Sequence, residues 1–178
     1  EAVDSAEDIL RQGGNAADAA IAGVLTAFAS EPVLTGPFGG GFAMVASPDG
    51  TSRNYQFFAQ APGIGSSPTD EINDFIGLEC TFGPATQVFH VGKSAVALPL
   101  MLPGLMKLHE DQGALGWNSL VNPAIETAQQ GILLSDQMAG IFDILAPILK
   151  HTPATKALFA PGGQMLGPGE RFSSPDLP

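Results

Sequence analysis

The stretch from Ala16 to Ala29 is built largely of alanine and carries no charge after Asp18. Alanine is the strongest helix former, so this run predicts a helix. A helix that is apolar on every side has to be buried. Any fold open to this chain must therefore surround a central helix whose small side chains let its neighbours approach closely. Asn15 stands where a cap belongs, and Asp18 follows three residues later, an acidic variant of the capping box. The Asp18 carboxylate also suits the positive end of the helix dipole. Glu31-Pro32 stops the helix. Upstream, Asp4 or Ser5 is expected to cap a first helix with Ala6, Ile9 and Leu10 on its apolar face. Gly13-Gly14 ends that helix.

Beyond the central helix comes Gly36-Pro37-Phe38-Gly39-Gly40-Gly41, then Phe42 to Ala46 as a buried strand. Pro48-Asp49-Gly50 marks a turn. Thr51 to Phe58 is the returning strand of a hairpin, with Arg53, Tyr55 and Phe57 on one face. Residues 62–87 hold many Gly, Pro, Ser and Thr and are expected to form a surface loop anchored by Phe75, Ile76 and Phe82. Ser66-Ser67 belongs to that loop. The second half is helical: Pro103 to Asp111, a helix capped by Asn118 or Ser119 and ending near Gly131, and one capped by Ser135 that runs toward Leu149 with a break at Pro147. The tail from Pro161 is expected to be irregular.

Several function classes fall away. The net charge of −11, from 18 acidic and 7 basic residues, repels nucleic acid and anionic lipid. No apolar run reaches about 18 residues, so no membrane span is expected. Charged residues make up only 14% of the chain against 44% hydrophobic, which suggests that more protein covers part of its surface. Glu1-Ala2-Val3-Asp4-Ser5 has no basic n-region. The compartment stays open: cytoplasmic, or periplasmic or secreted after loss of a leader.

The chemical motifs are mostly negative. The glycine cluster at 36–41 lacks a Gly-Lys-Ser/Thr ending and precedes a strand, so it is no phosphate loop. A close backbone approach, where a side chain would not fit, is the better reading. His109-Glu110 begins like a zinc-protease helix, but Gly113 stands where the second histidine is needed. His90 and His151 have no partner at ligand spacing. No metal and no cofactor is expected. The lone Cys80 reads as a small, mostly buried thiol. There is no Gly-x-Ser-x-Gly elbow. The acidic pairs Glu7-Asp8 and Glu110-Asp111 point apart on helices and read as solvated faces.

Taken in order, the segments resemble the large subunit of gamma-glutamyltranspeptidases. The resemblance rests on Ala6 through Ala20, on Glu31-Pro32, on Gly36 with Gly39-Gly40-Gly41-Phe42, and on Ala61-Pro62. It continues through Pro103-Gly104-Leu105, Leu108-His109-Glu110, Gly113, Trp117, Pro123-Ala124-Ile125 and Ala128 to Gly131, then Phe172 and Pro175-Asp176-Leu177. It implies an α+β chain, residues 1–178 being a single, incomplete domain. That domain would be part of an N-terminal-nucleophile hydrolase αββα sandwich, with a helical second half. It also implies partners: the remainder of the large subunit, a small subunit led by the nucleophilic threonine, and a small amide or peptide substrate. On that reading this chain carries no catalytic residue. Thr152 and Thr155, flanking Pro153, and the buried Thr26 lack the doublet context of a cleavage site.

Family members that bind glutamate have an arginine four residues before the proline of the Ala-Pro pair, followed by an acidic residue. Phe58 and Ala59 occupy those positions and are the expected substrate-binding residues. A guanidinium grips a carboxylate bidentately; a phenyl ring does not. The substrate implied is therefore one other than an ordinary gamma-glutamyl peptide. The alternative within enzymes is an unaltered substrate with Arg53 serving instead. The alternative outside them is a non-catalytic scaffold. A smaller departure is Leu100, where the family usually has glycine after Pro99, and it reads as local packing.

Overall fold

In a computed structural model of the chain, the capping box forms in full. The structure describes residues 1–63, 65, 74–174, 176 and 177, so Ser66-Ser67 and Pro175 lie outside the described residues. The chain forms two compact units: Glu1–Gln60 with Leu98–Gly131 and Ser174–Pro178, and Ala61–Ala97 with Ile132–Ser173.

The first unit is organised around helix α2, Ala16–Ser30, which follows α1, Ala2–Arg11. Asn15 Oδ1 accepts from the amides of Ala17 and Asp18 at 2.9 and 3.0 Å, and Asp18 Oδ2 accepts from the Asn15 amide at 3.0 Å. Ile21, Ala22 and Thr26 are wholly buried, as the uncharged sequence requires. The buried Thr26 hydroxyl is satisfied by Ser5 Oγ at 3.0 Å. Helix α1 starts earlier than expected, with Glu1 at its cap position and no side-chain cap from Asp4 or Ser5. Its buried anchor is Ile9, while Leu10 is half exposed. Val33, just past the Glu31-Pro32 stop, sits at φ 69°, which a β-branched residue rarely adopts.

Strands β1, Gly41–Ala46, and β2, Ser52–Phe57, form the expected antiparallel hairpin. Its turn is closed by the Ser47 amide on the Thr51 carbonyl at 2.8 Å, with Gly50 at φ 84°. One hairpin face, with Ala43, Val45, Tyr55 and Phe57, joins the core formed by α2 and by α3, Met101–Gln112. Phe57 lies directly on Gly104 of α3, where any β-carbon would enter its ring. Helix α4, Trp117–Gln130, begins behind Gly116 without the side-chain cap expected from Asn118 or Ser119.

The second unit departs furthest from the sequence expectation. The stretch 62–87 is not one surface loop. Ile76–Phe82 forms strand β3, which pairs with β4, Ala85–Val91. Gly83, at φ 61°, takes the first central position of the two-residue turn, as a type II′ hairpin demands. Cys80 is the buried residue of β3, and burial pushes its thiol up from the usual range. Strand β5, Ile132–Leu133, leads to α5, Asp136–Ile144, whose Met138 amide is capped by Ser135 Oγ at 3.1 Å. The chain breaks at Leu145 and resumes as α6, Ala146–Leu149, with Pro147 in its first turn. Helix α7, Pro153–Phe159, is closed by reciprocal bonds between Thr152 and Thr155. The glycine-rich tail is not wholly irregular: β6, Arg171–Phe172, pairs with β5. Phe142, Phe159 and Phe172 meet at ring separations of 5.1–5.8 Å and form this unit's core.

Candidate functional site

The region around Phe58 is held by backbone. Gly40 passes so close to the segment 57–59 that a β-carbon there would lie 2.7 Å from the Phe57 carbonyl oxygen and collide with the Ala59 amide. The steric reading of the glycine cluster holds at this position. Gly39 presents its carbonyl to the amides of Leu100 and Met101, at 3.2 and 3.1 Å, which satisfies donors at the start of α3. Leu100 itself packs against the core, in keeping with a local packing role. Gln60 and Leu98 exchange two backbone bonds, at 3.2 and 2.7 Å. Phe58 and Ala59 thus emerge from a segment clamped on both sides.

Strand alternation sets where Phe58 points. Phe57 is buried on the helix side, so the next side chain faces the other way. Phe58 is 61% exposed and stacks on Phe42 of β1, with ring centroids 5.5 Å apart and planes inclined by 18°. Ala59 is half-buried. Phe42 was not singled out by sequence as a site residue. The hairpin register offers the signal: Phe42 pairs with Gln56, which puts Phe58 at the diagonal neighbouring position. The rest of this face is uncharged, with Met44 opposite Asn54 and Ala46 opposite Ser52.

Arg53 does not join this site. It lies five residues before Phe58, so it belongs to the opposite face and stands about 16 Å away along the strand. Its guanidinium reaches Asp111 at 3.2 Å. Asp111 also accepts from Lys107 at 2.9 Å and from the Tyr55 hydroxyl at 3.3 Å, and Gln112 donates to that hydroxyl at 3.0 Å. Lys107 first, then Arg53 and Tyr55, hold the Asp111 carboxyl below its ordinary range, against the opposing effect of desolvation. The unit's remaining cation, Arg11, pairs with Glu7 and Asp8 at 2.6 and 2.7 Å.

The other sequence candidates take structural places. His109 Nε2 donates to the Leu115 carbonyl at 2.7 Å, and a β-carbon at Gly113 would strike the His109 ring. His90 stacks on Phe75 at 4.2 Å. Among the described residues, no three His, Cys, Asp or Glu side chains gather as a metal site. Thr152 and Thr155 are engaged in capping α7, and no described helix is long and apolar enough to cross a membrane. Asp18, by contrast, does more than cap: Ala114 N–H donates to both its oxygens at 3.1 Å, and Leu115 N–H to Oδ2 at 3.3 Å.

The family model for gamma-glutamyltranspeptidase matches residues 2–178. The chain belongs to the gamma-glutamyltranspeptidase family. It is 32% identical over 169 residues to an acylase ACY 1 proenzyme of Pseudomonas sp. (strain V22), covering 94% of this chain and 30% of that protein. It is 32% identical over 172 residues to glutathione hydrolase proenzyme 1 of Schizosaccharomyces pombe, covering 95% of this chain and 25% of that one. The gamma-glutamyltranspeptidase structure from Pseudomonas nitroreducens superimposes with a TM-score of 0.76 at 30% identity, over 99% of this chain and 49% of that one. This family likeness gives the chain its fold: α+β, part of an N-terminal-nucleophile hydrolase sandwich with a helical second half. The chain spans under a third of the length of these curated relatives.

Proposed function

We propose that this chain is the N-terminal part of the large subunit of a gamma-glutamyltranspeptidase-like amidohydrolase or acyltransferase, and that its acyl donor is not an ordinary gamma-glutamyl peptide. The nucleophile is the leading threonine of a small subunit absent from this chain. Its hydroxyl attacks the amide carbon, with its own amino group as base, and the amine departs to leave an acyl-enzyme. Water or an acceptor amine then takes the acyl group. The remainder of the large subunit completes the pocket, and Phe58 and Ala59 form one wall of it.

The observation that carries the substrate reading is the face of the hairpin on which Phe58 lies. It supplies no cation, and Arg53 is turned away and held by Asp111. A donor carboxylate placed there goes unpaired. Charge-assisted bonds of this kind contribute about 1.5–3 kcal/mol, roughly tenfold to a hundredfold in affinity.

The test is hydrolysis of gamma-glutamyl-p-nitroanilide by the full-length, processed protein and by its Phe58→Arg variant. We expect the variant to show kcat/KM at least about tenfold higher. A wild-type protein that already cleaves this amide as well as the variant refutes the altered donor. An intact mass showing no threonine-led companion chain refutes the enzyme reading and favours a scaffold.

A further inference from the structure

We infer that Gly104 of α3 is a positioning residue for the donor wall, acting through Phe57, and that Gly41 of β1 acts on the same ring. The inference rests on the reading of Phe58 and Ala59 as one wall of the donor pocket, and it names what sets that wall's place. Three glycines converge on the segment 57–59. A β-carbon on Gly40 would meet the Ala59 amide nitrogen and the Phe57 carbonyl oxygen. One on Gly41 would lie 3.0 Å from Cε2 of the Phe57 ring, and one on Gly104 would strike Cγ and Cβ of Phe57. None of the three glycines takes a positive φ. Left-handed backbone is therefore not what calls for glycine at these places; the close neighbour is.

Gly104 is the strictest of them. It stands inside α3, its amide bonded to the Leu100 carbonyl at 2.9 Å. Glycine is a poor helix former, and what its bare α-carbon allows is the close seating of Phe57, which pairs with Gly41 across the hairpin. A methyl at 104 meets the Phe57 β-carbon as well as the ring, so no change of rotamer relieves it. The strand itself has to withdraw from the helix, by on the order of 1 Å, to regain ordinary contact distance. Phe58 follows Phe57 directly, and Gln60 is pinned to Leu98 by two backbone bonds, so the displacement falls on residues 57–59. A misplacement of that size costs up to about a hundredfold in rate. Gly104 lies on the helix side of the hairpin, across the strand from Phe58, and has no part in bond making.

The test is a coupling measurement on the full-length protein, with gamma-glutamyl-p-nitroanilide as the probe and self-processing followed by intact mass. Phe58→Arg is combined with Gly104→Ala and, separately, with Gly41→Ala. With both glycines in place, Phe58→Arg is expected to raise kcat/KM at least about tenfold. With Gly104→Ala the gain should shrink to about threefold or less, because the new guanidinium is out of register with the donor carboxylate. Gly41→Ala, which crowds only the edge of the Phe57 ring, should shrink it less. A role in stability alone lowers activity by one factor with and without Phe58→Arg and leaves the gain whole. That outcome overturns the inference and leaves the wall reading standing. No gain from Phe58→Arg with the glycines in place overturns the wall reading and the inference with it. The control is Gly140→Ala, at a glycine of α5 whose β-carbon would meet open space. It should leave the gain unchanged, and a gain lost there too overturns the assignment to Gly104. If neither Gly104→Ala nor Gly41→Ala self-processes, these glycines serve maturation and not the donor wall, and the inference falls.

Discussion

In the first unit the wholly buried side chains are mixed: Ala22, Thr26 and Asp18 of α2 lie beside Ile9, Ile21 and Leu120. In the second, three phenylalanine rings meet at 5.1–5.8 Å. The first core adds bonds from a buried carboxylate and a buried hydroxyl to its apolar packing, whereas the second centres on three aromatic rings. The small residues of α2 let α1, α3 and α4 lie close to it. The first unit is the one whose other hairpin face carries Phe42 and Phe58.

The sharpest way to break this contrast is Phe142→Ala. Truncating a wholly buried ring should destabilise the second unit by about 3–5 kcal/mol. We expect amide protection to fall in α5 and α7, while the urea midpoint of Trp117 fluorescence, the chain's single tryptophan and a residue of the first unit, stays put. An equal fall in the Trp117 midpoint would merge the two cores into one cooperative system.

Asp18→Ala comes next, at about 2–4 kcal/mol, because it strips acceptors from the amides of Asn15, Ala114 and Leu115. Here the Trp117 midpoint should drop. Asp18→Asn should recover part of the loss, since one amide oxygen still accepts. If both variants match the parent, the bonded description of the first core is wrong.

The smallest effect concerns pH. Asp111 is held below its ordinary range by Lys107 and Arg53. Its contribution is therefore complete above about pH 4 and is lost as the pH falls through the lowered folded value. Asp111→Asn should flatten the acid limb of a stability-against-pH curve for the first unit below about pH 4. An unchanged acid limb would remove the Arg53–Asp111–Lys107 group from the account.

Local signals explain what the sequence made legible. The Asn15–Asp18 box, the uncharged run of α2, the Pro48-Asp49-Gly50 turn and the Ser135 cap all act within four residues of themselves. The β3–β4 hairpin was hidden because its strands are mostly exposed, so no alternation marks them, and Gly-Pro at 83–84 resembled loop composition. The starts of α1 and α4 were misplaced because neither uses a side-chain cap. At the site, Phe58 stood out only against the family pattern. Phe42 needed the register between strands, which no single segment states. Arg53 was excluded by parity alone, once the strand was known to run unbroken from Ser52 to Phe57.

Asp18 also sets a timetable. Its capping partner Asn15 is made almost at once, but the amides of Ala114 and Leu115 lie 96 and 97 residues downstream. At about 5–20 residues per second, synthesis brings them roughly 5–20 s later. Throughout that interval the most apolar helix of the chain exists with its anchoring carboxylate half-engaged and its α3 and α4 neighbours unmade. The carboxylate is fully engaged only when residue 115 arrives, and the helix is covered only after α4 ends at Gln130.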